Sequence, residues 1–250
     1  MFALFFIMEI IKSSDNKFVK KLNKLKQKKY RDEYAEFFVE GLKNVTDSIA
    51  ARPDTLVTLV FSEKNIALRE KFANFDTVVL TDALFEKICE AESSQGVISV
   101  HKIPESVFPK RNVVLLDRVR DPGNVGTILR TALAAGYDVV VNGCADIYSP
   151  KVVRSAMSAV LKCRIGVNVD IGTLKAGGYS IFCADMGGKN VFEREKPRGK
   201  YCIVIGNEAE GITPDILRDC DEALSIPQSG DIESLNAAVA AGIMMYALNR

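Results

Sequence analysis

Three stretches hold the residues best suited to chemistry, and they share a plan. In "LLDRVRDPGNVGTILRTALAAG" (115–136) an apolar run breaks at Asp121-Pro122-Gly123-Asn124, and Arg130 follows about a turn and a half into a helical pattern. Gly123 and Gly126 permit close approach at such a strand-to-helix turn, whose free N–H groups face any anion bound there. Asn124 has the side chain of a helix cap. In "YCIVIGNEAEGITPDIL" (201–217) an apolar strand runs into Gly206-Asn207-Glu208, and in open α/β sheets ligands sit beyond the carboxyl ends of strands. In "IPQSGDIESLNAAVAAGIMMYALNR" (226–250) a turn-rich loop leads through Ser234, Leu235 and Asn236 into a helix rich in Ala and Gly. Ser234 or Asp231 is placed to cap it, with Glu233 at its positive end. Taken singly, each stretch reads equally well as a capped helix or a solvated turn.

Some chemistries are disfavoured at once. The glycine spacing is G-x-x-G and not G-x-G-x-x-G, so a nicotinamide enzyme is a distant reading, although Asp146 lies about 20 residues after the turn, the position at which a ribose-binding acid belongs. One histidine, His101, and six scattered cysteines without a CxxC pair argue against a zinc centre, and no metal is expected. Reduced thiols fit a cytoplasmic protein.

The elements that must position these residues alternate. Apolar strands are expected at 36–41, 55–61, 76–80 and 96–100, with helices at 45–51, 65–73 and 82–90 between them. "PESVFPKRN" (104–112), with two prolines, reads as a linker. Beyond it the alternation restarts with strands at 113–117 and 138–141 and helices at 125–135 and 151–160. Further strands follow at 179–185, 201–206 and 222–227, before the terminal helix. The pattern predicts two α/β domains, 1–105 and 106–250.

The formal charge of +1 is unevenly spread. Lys12 to Arg31 carries eight lysines and one arginine against the single Asp15, on a helical pattern in which Phe18, Leu22 and Leu25 share a face. A basic helix of this kind is a solvated face or a phosphate-binding one. The opening "MFALFFIMEIIKSS" has no basic n-region or small-residue cleavage site, and it is far short of the roughly 20 apolar residues that span a bilayer. No membrane segment is expected, and either Met1 or Met8 serves as a start.

All three stretches occur in order, each at a strand's carboxyl end. In that combination the sequence resembles the SpoU (TrmH) family of RNA 2′-O-ribose methyltransferases, through "NVGTILRTALAAG", "IVIGNEAEGI" and "IPQSGDIESLNAAVAAGI". The first domain resembles the L30e-like substrate-binding domain often appended to that family, through "KYRDEYAEFFVEGLKNVTDSI" and "SSQGVISV". The resemblance implies a SPOUT-type α/β sheet with a deep trefoil knot, preceded by a smaller α/β domain. True knots are rare, and no periodicity could have indicated one.

The resemblance also implies S-adenosylmethionine as cofactor, held by loops at Met186, Gly206, Ile226 and Leu235. It implies a catalytic group of Arg130, Asn124, Glu208, Ser234 and Asn236, acting on a ribose 2′-hydroxyl. Arg130 is either a base assisted by substrate phosphate or a fixed cation. The second is the easier chemistry, because the guanidinium pKa lies above about 12. Asn124 is expected to orient Arg130 or the ribose, and Glu208 to hold Arg130 or shape the cofactor loop. Arg31 is the foremost RNA contact that the resemblance implies, beside Lys28 and Lys29. The expected partner is structured RNA, ribosomal ahead of transfer RNA, and the expected assembly is a homodimer in which the small residues from Ala237 to Gly242 meet a second subunit. A non-catalytic RNA-binding or ribosome-assembly protein of the same fold is the alternative.

Overall fold

The structure, a computed structural model, describes residues 10–90, 94–230 and 234–249, and divides into two compact units. Residues 1–9 of the apolar leader, Asp231 and Glu233 lie outside the described residues, so the expectations placed on them are not addressed. Unit one comprises residues up to Pro104 with Tyr148–Pro150, and unit two the remainder.

Unit one runs β1 (Ile10–Ile11), α1 (Lys17–Lys24), α2 (Lys28–Tyr34), β2 (Glu36–Glu40), α3 (Leu42–Ala51), β3 (Leu56–Ser62), β4 (Thr77–Leu80), α4 (Asp82–Ile88) and β5 (Val97–Lys102). Its five strands form one mixed sheet in the order β1-β4-β3-β5-β2, with β5 antiparallel to both neighbours. α1 starts where Asn16 accepts the Phe18 N–H, and it buries Val19 and Leu22 beside Leu25. The helix expected at 65–73 is instead a tight 3-10 stretch, Glu63–Phe72, kinked at Asn65.

Unit two runs β6 (Val113–Asp117), α5 (Pro122–Ala135), β7 (Asp138–Asn142), α6 (Pro150–Ala156), α7 (Ala159–Lys162), β8 (Ile165–Val167), α8 (Ile171–Ala176), β9 (Tyr179–Asn190), β10 (Lys200–Ile205), α9 (Pro214–Arg218), β11 (Glu222–Ser225) and α10 (Ala237–Leu248). Six strands make one sheet, β11-β9-β10-β6-β7-β8, and every pair is parallel. Parallel strands buried on both faces need continuous apolar runs, which Val113–Leu116, Val139–Val141 and Tyr201–Ile205 supply. The helix expected at 151–160 is broken at Met157, whose φ of 55° is left-handed.

Strand order sets the place of the site. From β6 the chain steps outward to β7 and β8, then returns to place β10 against the other side of β6. β6 and β10 therefore flank a switch point, with Ile205 in register with Leu116, so the loops after both strands leave the sheet side by side. α10 is anchored at its far end. Tyr137 Oη donates to the Met245 carbonyl at 3.0 Å and meets Tyr201 Oη at 2.6 Å, while Asn249 Nδ2 donates to the Ala135 carbonyl at 3.0 Å.

Candidate active site at the switch point

α5 begins where β6 ends. Asp121, not Asn124, is its N-cap: the Asp121 carboxylate accepts the Asn124 N–H at 2.8 Å, and Pro122 fills the first turn. This corrects the sequence expectation and frees the Asn124 side chain. Its Nδ2 donates to Glu208 Oε1 at 2.9 Å, and its Oδ1 accepts from Asn236 Nδ2 at 2.9 Å. Asn236 is in turn the N-cap of α10, in place of the expected Ser234 or Asp231, its Oδ1 accepting the N–H groups of Ala238 and Val239. One hydrogen-bonded chain, Glu208–Asn124–Asn236, thus joins all three stretches.

Glu208 also accepts the Arg120 N–H at 3.3 Å. Burial pushes its carboxyl up, but the Asn124 hydrogen bond and those from backbone N–H groups outweigh this and hold it below the ordinary range. Glu208 is therefore an anion at neutral pH, and it fixes which end of the Asn124 amide donates.

Arg130 stands apart. It is exposed on α5, about 9 Å of helix rise beyond Asn124, and it makes no hydrogen bond or ion pair with any described residue. Neither Asn124 nor Glu208 bonds to it, since they bond to each other; of the expected roles this leaves Asn124 on the ribose and Glu208 on the cofactor loop. An exposed guanidinium left unpaired is free to take a phosphate or an oxyanion. Ser234 is exposed two residues before the Asn236 cap.

Met186, expected on a loop, lies within β9, while Gly206 and Ile226 directly follow β10 and β11. β9, β10 and β11 are parallel neighbours, so these positions lie toward the same end of the sheet. Between Cys183 paired to Ala223 and Lys189 paired to Leu224, five residues of β9 have no partner in β11. Met186 sits in that excursion and is 66% exposed. At Gly206 an added Cβ would come within 2.4 Å of the Gly211 backbone, so only backbone is available there. Ile226 and Leu235 are half-buried. Backbone-rich segments with two apolar side chains of this exposure fit an adenine ring read through N–H and C=O groups, a mode that requires no acidic ribose-binding fingerprint.

Residues 111–246 match the SpoU rRNA Methylase family, and residues 16–99 match the MRM3-like substrate binding domain. The chain belongs to the SpoU rRNA methylase family. As a SpoU protein it is a methyltransferase, and the α/β sheet described above is the SPOUT fold with which the expected knot belongs. It is 31% identical over 249 residues to the 23S rRNA (guanosine(2553)-2′-O)-methyltransferase RlmP of Bacillus subtilis, covering 96% of this chain and 99% of that one. An AdoMet-bound rRNA methyltransferase from Sinorhizobium meliloti superposes with a TM-score of 0.83 at 27% identity, covering 97% of both chains. The SpoU methyltransferase AviRb of Streptomyces viridochromogenes, in complex with AdoMet, gives 0.82 at 26% identity, covering 93% of this chain and 97% of that one.

Unit one presents the expected RNA-contact residues unequally. Lys28 and Lys29 are exposed on α2, with Lys28 paired to Asp32 at 2.7 Å. Arg31 is only 3% exposed, and its Nη1 donates to the Leu25 carbonyl at 2.6 Å. It ties α2 to the end of α1 and is not a surface cation. Sequence reading missed the neighbouring aromatics: Tyr30 and Tyr34 stack at 6.2 Å, with Lys24 and Lys29 at 4.9 and 5.6 Å from the Tyr30 ring. Their spacing of four residues on a helix was the available signal.

Proposed function

We propose that this SpoU protein methylates a ribose 2′-hydroxyl of ribosomal RNA, with S-adenosylmethionine as donor. The observation that carries the reading is the Glu208–Asn124–Asn236 chain at the start of α5, with an exposed, unpaired Arg130 further along the same helix, in a chain akin over nearly its whole length to a 23S rRNA 2′-O-methyltransferase. When bound, the cofactor supplies a methyl on a sulfonium, which needs little further activation.

The protein's task is to orient the ribose and handle a poorly acidic hydroxyl. Alignment of two reactants is worth about 7–11 kcal/mol. Glu208 fixes the Asn124 amide, and Asn124 and Asn236 together hold the loops of the three stretches in one arrangement. Ser234 and Asn236 steady the ribose. Arg130 grips the phosphate next to the reacting ribose and stabilises negative charge developing on its oxygen. A fixed cation accomplishes this without surrendering a proton.

RNA is held by the basic face of unit one, where Lys24 and Lys29 lie over Tyr30 and Lys28 is exposed on the same helix as Tyr30. Lysines there bind phosphates, and a partly exposed tyrosine offers a ring to an unpaired base. Arg31 supports this face from inside. The enzyme works as a homodimer. Within the Ala237–Gly242 run, Ala237, Ala238 and Ala241 are buried in the chain's own fold, whereas Ala240 and Gly242 are half-buried and Val239 is exposed. Val239 and Tyr246 are the exposed apolar residues of α10. Six free thiols fit a cytoplasmic enzyme, and no helix among the described residues is long and apolar enough to cross a membrane.

The deciding experiment is incubation with labelled cofactor and separate rRNA and tRNA pools, followed by mapping of ribose methylation. Label in a defined rRNA ribose supports the proposal. Label confined to tRNA transfers the activity to the other substrate, and none in either pool favours a binding-only protein.

A further inference from the structure

Glu208 lies on a loop whose hold is on β6 and not on its own strand. Asp117, the last residue of β6, is 3% exposed, and its Oδ2 accepts both the Thr213 N–H at 2.7 Å and the Thr213 hydroxyl at 2.6 Å. Arg118 follows in the left-handed region, with φ of 58°, a conformation that glycine or asparagine adopts most easily. From there its Nε donates to Thr213 Oγ1 at 3.1 Å, its Nη1 to the Glu210 carboxylate, and its Nη2 to the Gly211 carbonyl at 3.4 Å. Its own carbonyl accepts Asn207 Nδ2 at 2.8 Å. The other end of the Asn207 amide accepts the N–H groups of Ala209 and Glu210, at 2.9 and 3.0 Å.

Asn207, Glu210, Gly211 and Thr213 are thus all gripped from residues 117 and 118, and Glu208 is the tip of the turn they form. We propose that Arg118 is a positioning residue for methyl transfer, acting through the 207–213 turn to aim Glu208 at Asn124. This rests on the methyltransferase reading of the site. The Arg118 guanidinium bonds to Thr213, Glu210 and Gly211 and not to Glu208, Asn124 or Arg130, so its influence passes through the turn. An ordinary surface ion pair is the competing account. Glu210 is 68% exposed at its side chain, and exposed pairs add little to stability. The two accounts therefore part on function.

Arg118→Asn separates them, because asparagine accepts the left-handed backbone while the guanidinium is lost. The expected result is a kcat lower by about tenfold or more, with KM for RNA and Tm nearly unchanged. Arg118→Asn in a Glu208→Ala background should cost nothing further, since both changes disable one device. Amide exchange of a peptide covering 207–213 should quicken in Arg118→Asn whether or not the RNA assignment holds. Should the wild-type protein methylate no RNA, the exchange and its reversal by Arg118→Lys still decide the grip. Unchanged exchange, a kcat within about twofold of wild type, or losses that multiply in the double variant would overturn the proposal.

Discussion

Asn236 Nδ2 donates to Asn124 Oδ1 across 2.9 Å and 112 residues of sequence, while the other end of the Asn236 amide caps α10. A single side chain therefore both starts a helix and closes the site. Asn236→Ala removes both roles, and the cap alone is worth about 1 kcal/mol, or about 2–4 °C in Tm for a chain of this size. Asn236→Asp retains an acceptor for the cap but has no donor for Asn124. It should restore most of the Tm and little of the turnover, as thermal melts and single-turnover methylation would show. Recovery of both together would mean that the link to Asn124 has no catalytic part.

Arg130 contributes little to the fold, since it is exposed and pairs with no described residue. Arg130→Ala should leave Tm nearly unchanged while turnover falls on the order of 10²–10³-fold, the usual loss when a donor to developing charge is removed. Arg130→Lys keeps the charge without the planar fork. Partial activity in that variant fits a fixed cation; turnover that tracks deprotonation of the lysine as pH rises would point to a base.

Recognition of the site and recognition of the fold drew on different parts of the sequence. β6 was legible to the residue, because a strand buried on both faces must be apolar throughout. The break at Met157 and the left-handed Arg118 were not, since neither residue type announces that conformation. Arg31 looked like a surface cation because its type and its lysine neighbours say so, but a carbonyl six residues away determines its burial. The Glu208–Asn124–Asn236 chain was beyond reach for a similar reason. Its members came from resemblance, whereas their mutual bonds depend on β10 returning beside β6.

His101 makes stability depend on pH. It is fully buried, between Thr55 Oγ1 at 2.9 Å and Ser99 Oγ at 3.0 Å, and burial pushes its pKa down from 6.5 to about 4. The unfolded chain then binds the proton first, so stability is complete above about pH 6.5 and is lost as pH falls toward 4. The loss for this one group is on the order of 3 kcal/mol. Denaturant melts of wild type and His101→Gln across that range should diverge, with the flatter dependence in the variant.

The lysine face of unit one predicts a salt signature. Replacing Lys24, Lys28 and Lys29 by alanine should weaken RNA binding and lower the salt slope by about 0.7–0.9 for each phosphate that is no longer neutralised. Tyr30→Ala should weaken binding with the slope retained, since stacking releases no counterions. Arg31→Ala should behave differently again, lowering the Tm of unit one because a buried carbonyl loses its donor. Filter binding over a salt series distinguishes these cases.

α10 has two apolar faces, and the outer one bears on assembly. Ala238, Ala241, Met244, Met245 and Leu248 pack inward, whereas Val239 and Tyr246 are exposed and Ile243 is half-buried between them. Positions 239, 243 and 246 recur at helical spacing, so they form one stripe along the outside of the helix. A valine and a tyrosine at more than half exposure, 51% and 55%, on a helix fixed at its far end by Tyr137 and Asn249, are better covered than wet. A second copy covering this stripe would bury one face of the helix whose N-cap, Asn236, closes the site, which ties assembly to activity. Tyr246→Glu places a charge on the stripe without touching the Asn236 cap. It should convert a micromolar dimer to monomer in sedimentation, shift stability of the monomer by no more than about 0.5 kcal/mol, and reduce turnover in proportion to the dimer lost. A variant that sediments as a dimer would put the interface elsewhere, and a wild-type monomer at the same concentration would remove it altogether.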